Sequence, residues 1–272
     1  MADINILSTH AVQEVLRELE PLFERRSGFS ITIDYDPANV LKRRIEDGTA
    51  FDVVIVTRPV IDTLALEGKV HPETCVDIGR CGLGVAVSER TAKPNIATVD
   101  GLKRALVAAR SLVRSKEGTS GLYFETLLDR LGIAGAMHGK IVLGPSGRIA
   151  ECVARGEAEM AVQQIPELLP VKGVQYVGPL PAELQLYTLF AAGVSTAAMD
   201  RAAASAFVDT LTTPALRCFL KPKGLSRSQV ERLCWPLNAG GQHEAVRRDP
   251  GDRCHTRAGR AVRDLSIGRA GC

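Results

Sequence analysis

Four short β-branched runs in this chain stop at a small hydroxyl- or glycine-bearing segment and pass at once into an amphipathic helix. Residues 4–7 lead into Ser8-Thr9, residues 31–35 into Asp36-Pro37, residues 112–113 into Gly118-Thr119-Ser120-Gly121, and residues 141–143 into Gly144-Pro145-Ser146-Gly147. Strands joined through helices in this way lie parallel, with right-handed crossovers. Each junction also leaves backbone N–H groups without intrahelical partners at the positive end of a helix dipole. Several such junctions meeting in one cleft would hold an anion without metal or cofactor, so the chain reads as a binder of small anions with no cofactor.

The alternation occurs twice. After residue 7, Val12, Val15, Leu16, Leu19, Leu22 and Phe23 fall on one helical stripe. A strand over 30–35, a helix over 39–47 closed by Gly48, a continuously apolar strand over 52–57 and a helix over 59–67 complete a first α/β unit. A second unit follows Gly79, with strands over 83–88, 111–114, 140–143 and 159–163 and helices over 99–109, 120–131 and 148–155. The apolar stretch 184–194 and the alanine-rich helix 197–211 then return the chain to the first unit, crossing near 79–82 and 185–192. The expected organisation is an α/β, two-lobed fold: one lobe from 1–80 plus 192–233, a second from 81–191, and a tail over 234–272.

With 272 residues and 45% hydrophobic content the chain can bury one large or two modest cores. No apolar run reaches the roughly 20 residues of a membrane helix, which excludes membrane insertion. The N-terminus lacks the basic and long apolar regions of a secretory signal, so the expected location is cytoplasmic, or periplasmic should the chain be a mature form. Seven widely spaced cysteines include no Cys-x-x-Cys pair and read as reduced thiols. Cys234, His243, Cys254 and His255 match no zinc-ligand spacing, and no metal site is expected. The net charge of +3 resides in the tail, where seven arginines face Glu244, Asp249, Asp252 and Asp264. No aromatic residue accompanies those arginines, so nucleic acid is not an expected partner and the tail reads as a solvated, disordered end.

Several segments together carry a family likeness. Phe51-Asp52-Val53-Val54-Ile55 after an Arg-Arg-Ile-Glu-Asp-Gly helix, Gly156-Glu157-Ala158-Glu159-Met160-Ala161, residues 177–185 (VGPLPAELQ) and residues 206–211 (AFVDTL) resemble, in order and spacing, the periplasmic molybdate-binding type of solute-binding protein of the type II periplasmic-binding-protein superfamily. The resemblance spans about residues 3–225. It implies two α/β lobes joined by two crossing strands with the ligand clamped between them. It also implies a small anionic ligand and, for an exported protein, the membrane subunits of an ABC transporter as partners. Carried onto this chain, the ligand positions are Ser8, Thr9, Asp36 to Asn39, Thr119, Ser120, Ser146, Gly147 and the Gln163-Gln164 region. Two departures stand out: the second junction has Asp36 where the molybdate binders are serine-rich, and the strand over 52–57 ends in Arg58.

A planar guanidinium matches a carboxylate, whereas neutral donors suffice for a metal oxyanion. Arg58 in the cleft therefore predicts an organic carboxylate; the alternative has Arg58 turned outward onto Asp62 or Glu67. The superfamily also includes an aconitate isomerase-like branch. That resemblance implies a cytoplasmic enzyme moving a proton in an unsaturated polycarboxylate, with His10 as base, Asp36 orienting it and Arg58 holding a carboxylate. A third role, a regulatory sensor, would lack its DNA-reading helix-turn-helix ahead of residue 3. No nucleotide-binding glycine motif, His-Glu-x-x-His or nucleophile elbow is present.

Overall fold

The computed structural model describes residues 3–214 and 216–226. The expected tail over 234–272, its cysteine and histidine set, and residues 227–233 of the first lobe lie outside the described residues.

In chain order the elements are β1 (Asp3–Ser8), α1 (Gln13–Ser27), β2 (Ser30–Tyr35), α2 (Ala38–Glu46), β3 (Val53–Thr57), α3 (Arg58–Leu66), β4 (Val76–Cys81), β5 (Leu83–Ser88), α4 (Val99–Ala108), β6 (Leu112–Ser115), α5 (Thr119–Arg130), α6 (Ala134–Met137), β7 (Ile141–Gly144), α7 (Ile149–Ala154), β8 (Met160–Gln164), α8 (Ile165–Leu168), β9 (Val174–Pro179), β10 (Thr188–Val194), α9 (Arg201–Thr210) and α10 (Leu216–Leu220). They build two five-stranded sheets, ordered β2-β1-β3-β10-β4 and β7-β6-β8-β5-β9. In the first, β1 pairs in parallel with β2 and β3, while β10 runs antiparallel to β3 and β4. The second repeats the scheme, with β6 parallel to β7 and β8 and β5 antiparallel to β8 and β9.

Each sheet is covered on both faces, as the continuous apolar run of β3 requires. Its five residues are all buried. On one face of the first sheet Ile4, Ile6, Ile55 and Phe190 meet Val15, Leu16 and Phe23 of α1 and Phe207 of α9. The Phe23 and Phe207 rings pack edge to face at 5.2 Å. The other face sets Leu7, Val54 and Val56 against Leu41 of α2 and Ile61 and Leu64 of α3. In the second sheet Val85, Leu112 and Val162 pack on Leu102, Phe124 and Leu127, while Val113 and Ala161 pack on Ile149, Val153 and Leu168.

The chain passes between sheets at Gly82 and again over 180–187. The second crossing comes earlier in the chain than the expected division at 191: all of β10, including residues 188–191, belongs to the first sheet, because its antiparallel bonds run to β3 and β4. Gln185 fastens the two passes together. Its amide accepts from the Leu83 N–H at 2.7 Å and donates to the Leu83 carbonyl at 2.9 Å. Gly82 lies beneath it, where an added Cβ would fall 2.8 Å from the Gln185 side chain. Arg80 stacks over Tyr187 at 4.9 Å beside this clasp. Among the described residues no helix is long and apolar enough to cross a membrane.

Candidate functional site

Both sheets point the C-terminal ends of their parallel strands at the space between them, so the short connections after β1, β2, β3, β6, β7 and β8 form its walls. An inner chamber of about 40 Å³ is lined from the first lobe by Thr9, His10, Asp36, Pro37, Ala38, Thr57 and Phe190. The second lobe supplies Ser115, Gly118, Thr119, Ser120, Ser146, Gly147, Gln164 and Glu167.

On the first wall, the Thr9 N–H continues the sheet by bonding the Ile55 carbonyl at 3.0 Å. This leaves the Thr9 hydroxyl buried with no hydrogen-bond partner. The His10 ring follows, edge-on to Tyr35 at 5.9 Å, with Nδ1 buried and likewise unpartnered. Burial lowers the His10 pKa, and the negative charge of Asp36 opposes that shift without reversing it. Asp36 is itself met by Arg44 at 2.6 Å. Beyond it, the Val40 and Leu41 amides bond the Pro37 carbonyl, and those of Ala38 and Asn39 have no partner among the described residues.

The second wall is organised by Ser115. Its hydroxyl accepts from the Gly118 N–H at 2.9 Å and lies 2.7 Å from the Ser146 hydroxyl. The chain winds so tightly here that a Cβ on Gly121 would fall 1.9 Å from the Ser115 carbonyl. The Thr119 and Ser120 amides at the start of α5 have no partner among the described residues. Gly147 adopts a φ of +76° directly against His10, and a Cβ there would sit 1.6 Å from the imidazole. His10 and Gly147 thus close the chamber from opposite lobes. On the rim, Arg43 reaches Glu117 across the cleft at 3.5 Å.

Glu167, opening α8, is the one group in the inner chamber that sequence reading passed over entirely and that carries a charge of its own. Its chain keeps some accessible surface, but its carboxyl is enclosed by protein and receives the Gln163 amide. Desolvation pushes its pKa up to about 7, against the opposing effect of that hydrogen bond. Burial of this kind is not written in local sequence; the weak pointer was an Ile-Pro-Glu helix start directly after a buried strand. Ser115, the end residue of β6, was also missed, along with Thr57.

Of the expected positions, Thr9, His10, Asp36, Thr119, Ser120, Ser146 and Gly147 meet in this chamber. Ser8 does not line it: the side chain is fully buried behind the wall, donating to the Thr9 carbonyl at 3.3 Å. Asn39 is exposed, one step past the lining Ala38. Gln163 is also withdrawn, acting through Glu167, with Oε1 buried and unpartnered. Arg58 departs furthest from expectation. It turns away onto Asp62 at 2.9 Å and Asp77 at 3.0 Å, since the carboxylate four residues on and the one on β4 both attract it outward. No lysine or arginine lines the inner chamber. Among the described residues no cluster of three or more His, Cys, Asp or Glu is placed to hold a metal ion.

Two sheets of this topology facing one anion-sized chamber define a two-lobed solute-binding architecture. Residues 4–226 match the family described as bacterial extracellular solute-binding proteins, and the chain belongs to that family. It is similar to the aconitate isomerase of a Pseudomonas species, with 27% identity over 228 residues, 82% of this chain and 87% of that one. In fold it is similar to the periplasmic molybdate-binding protein of Azotobacter vinelandii, with a TM-score of 0.71 at 18% identity, covering 83% of this chain and all of that one. The sulfate-binding protein SubI of Mycobacterium tuberculosis H37Rv superposes with a TM-score of 0.68 at 17% identity, over 85% of this chain and 88% of that one.

Proposed function

We propose that this protein binds a small anion, an inorganic oxyanion or the carboxylate of an organic acid, in the chamber between its lobes. The observation carrying this reading is the buried, unpartnered Thr9 hydroxyl facing the same space as the free N–H groups that open α2 and α5. Buried donors without partners cost stability unless something satisfies them, and helix starts favour negative charge. Ser120, Ser146 and the Gly147 backbone complete the donor set. Neutral donors hold the guest, and with Arg58 turned outward no guanidinium is needed in the inner chamber.

The test is titration calorimetry with molybdate, sulfate and small carboxylates on wild type and Thr9→Val. At least one anion binds, and the variant weakens it roughly tenfold, the worth of one hydrogen bond of about 1–1.5 kcal/mol. Absence of binding for all of them, or unchanged affinity in Thr9→Val, refutes the assignment. In this role the partner is a membrane transporter of the ABC type, met outside the cytoplasm.

A second reading rests on a specific pairing. His10, kept neutral by burial, and Glu167, protonated up to about neutral pH, border the same chamber. One group able to accept a proton and another able to give one are what a 1,3-proton shift in an unsaturated polycarboxylate needs. The similarity to an aconitate isomerase points the same way. His10 takes a proton from the substrate methylene, Glu167 gives one to the distal carbon, and a proton passing from His10 to Glu167 resets the site. Asp36, held by Arg44, orients the imidazole. Following cis- and trans-aconitate by ultraviolet absorbance separates the readings: turnover lost in both His10→Ala and Glu167→Gln supports the enzyme, and no turnover in wild type removes it.

A further inference from the structure

A second, wider cavity of about 600 Å³ opens outward from the inner chamber, and the two share His10, Gly147 and Glu167 as a common wall. The inner space accommodates one compact anionic group; the outer one has room for the rest of a larger molecule. Their walls also differ in charge. The inner chamber has no lysine or arginine, whereas Arg17, Arg148, Arg155 and Lys172 line the outer one, opposed by Glu14 and Glu151 besides Glu167.

The ion pairs show where positive charge remains. Arg17 is taken by Glu14 at 2.6 Å, and Arg148 by Glu151 at 2.8 Å. Arg155 shares Glu151 and also pairs with Glu157, outside the lining. Lys172 has no carboxylate partner among the described residues and supplies the surplus charge of this wall. An ammonium on a flexible stem beside a cavity is free to follow a second anionic group, and the neighbouring guanidiniums can share it.

Resting on the anion-binding reading above, we propose that the ligand is an elongated polycarboxylate: one carboxylate sits among the hydroxyls and amides of the inner chamber, and a second extends past Glu167 to Lys172 and Arg148 in the outer one. Lys172 then sets specificity between polycarboxylates and compact anions.

The experiment compares propane-1,2,3-tricarboxylate with sulfate by titration calorimetry at constant ionic strength, on wild type, Lys172→Glu and Lys172→Arg. The side chain is exposed, so these changes spare the fold. The ratio of tricarboxylate to sulfate affinity falls at least tenfold in Lys172→Glu and is retained within about threefold in Lys172→Arg. An unchanged ratio in Lys172→Glu, or sulfate binding without measurable tricarboxylate binding in wild type, overturns this inference alone. Failure of both anions to bind wild type overturns the polycarboxylate, and failure of molybdate and the smaller carboxylates as well overturns the anion-binding reading with it.

Discussion

Glu167 places an ionisable carboxyl among donors otherwise suited to an anion, and its protonation decides which way it acts. While protonated it offers a hydrogen; once ionised it repels the guest. With its pKa pushed up to about 7, anion affinity falls as pH rises through neutrality, and Glu167→Gln removes that dependence in calorimetric titrations between pH 5.5 and 8.5. Stability follows the same sign. The folded state holds this proton more tightly than the unfolded chain, so the contribution is complete below the ordinary glutamate range and is lost as pH rises to about 7. Arg58 illustrates the converse, a charge without a part in binding. Its exposed pairs with Asp62 and Asp77 predict that Arg58→Ala leaves anion affinity within about twofold, by calorimetry, and costs less than about 1 kcal/mol in urea unfolding. The Asp62 partner was legible four residues along the same helix; Asp77 was not, because β4 reaches that position only through the sheet order.

Among the elements, the approach of the β7–α7 turn to the start of α1 closes the cleft. Gly147 meets both demands of that contact, a positive φ and no side chain where His10 lies. Gly147→Ala therefore holds the lobes apart: small-angle scattering reports a larger radius of gyration in the presence of ligand, and affinity falls at least tenfold. Strand and helix alternation was readable through most of the chain, since β-branched runs such as 53–57 and the stripe of α1 each obey one period. β9 escaped because Gly178 and Pro179 mask its strand character, and α8 because four residues are too few for a period. In the site, the junction residues Thr9, Ser120 and Ser146 were visible as hydroxyls at strand ends. The depth of Glu167 depends on two lobes coming together and on no local pattern.

At the scale of the whole molecule, both lobes depend on sheets covered on two faces, so stability is distributed and core truncations report on it directly. Leu41 is fully buried between α2 and the first sheet, and Leu41→Ala lowers unfolding free energy by about 2–5 kcal/mol in a urea titration. The same measurement on a ligand-saturated sample recovers part of that loss by linkage. The two crossing passes have a separate attachment. Gln185 satisfies both main-chain groups of Leu83 as a neighbouring strand would, and none of its atoms borders the inner or outer cavity. The crossing passes are thus fastened in part by a side-chain amide that lines neither cavity. Changes in the cavity-lining residues, whether they redirect recognition from an inorganic ion to an organic acid or from capture to chemistry, therefore leave this clasp in place.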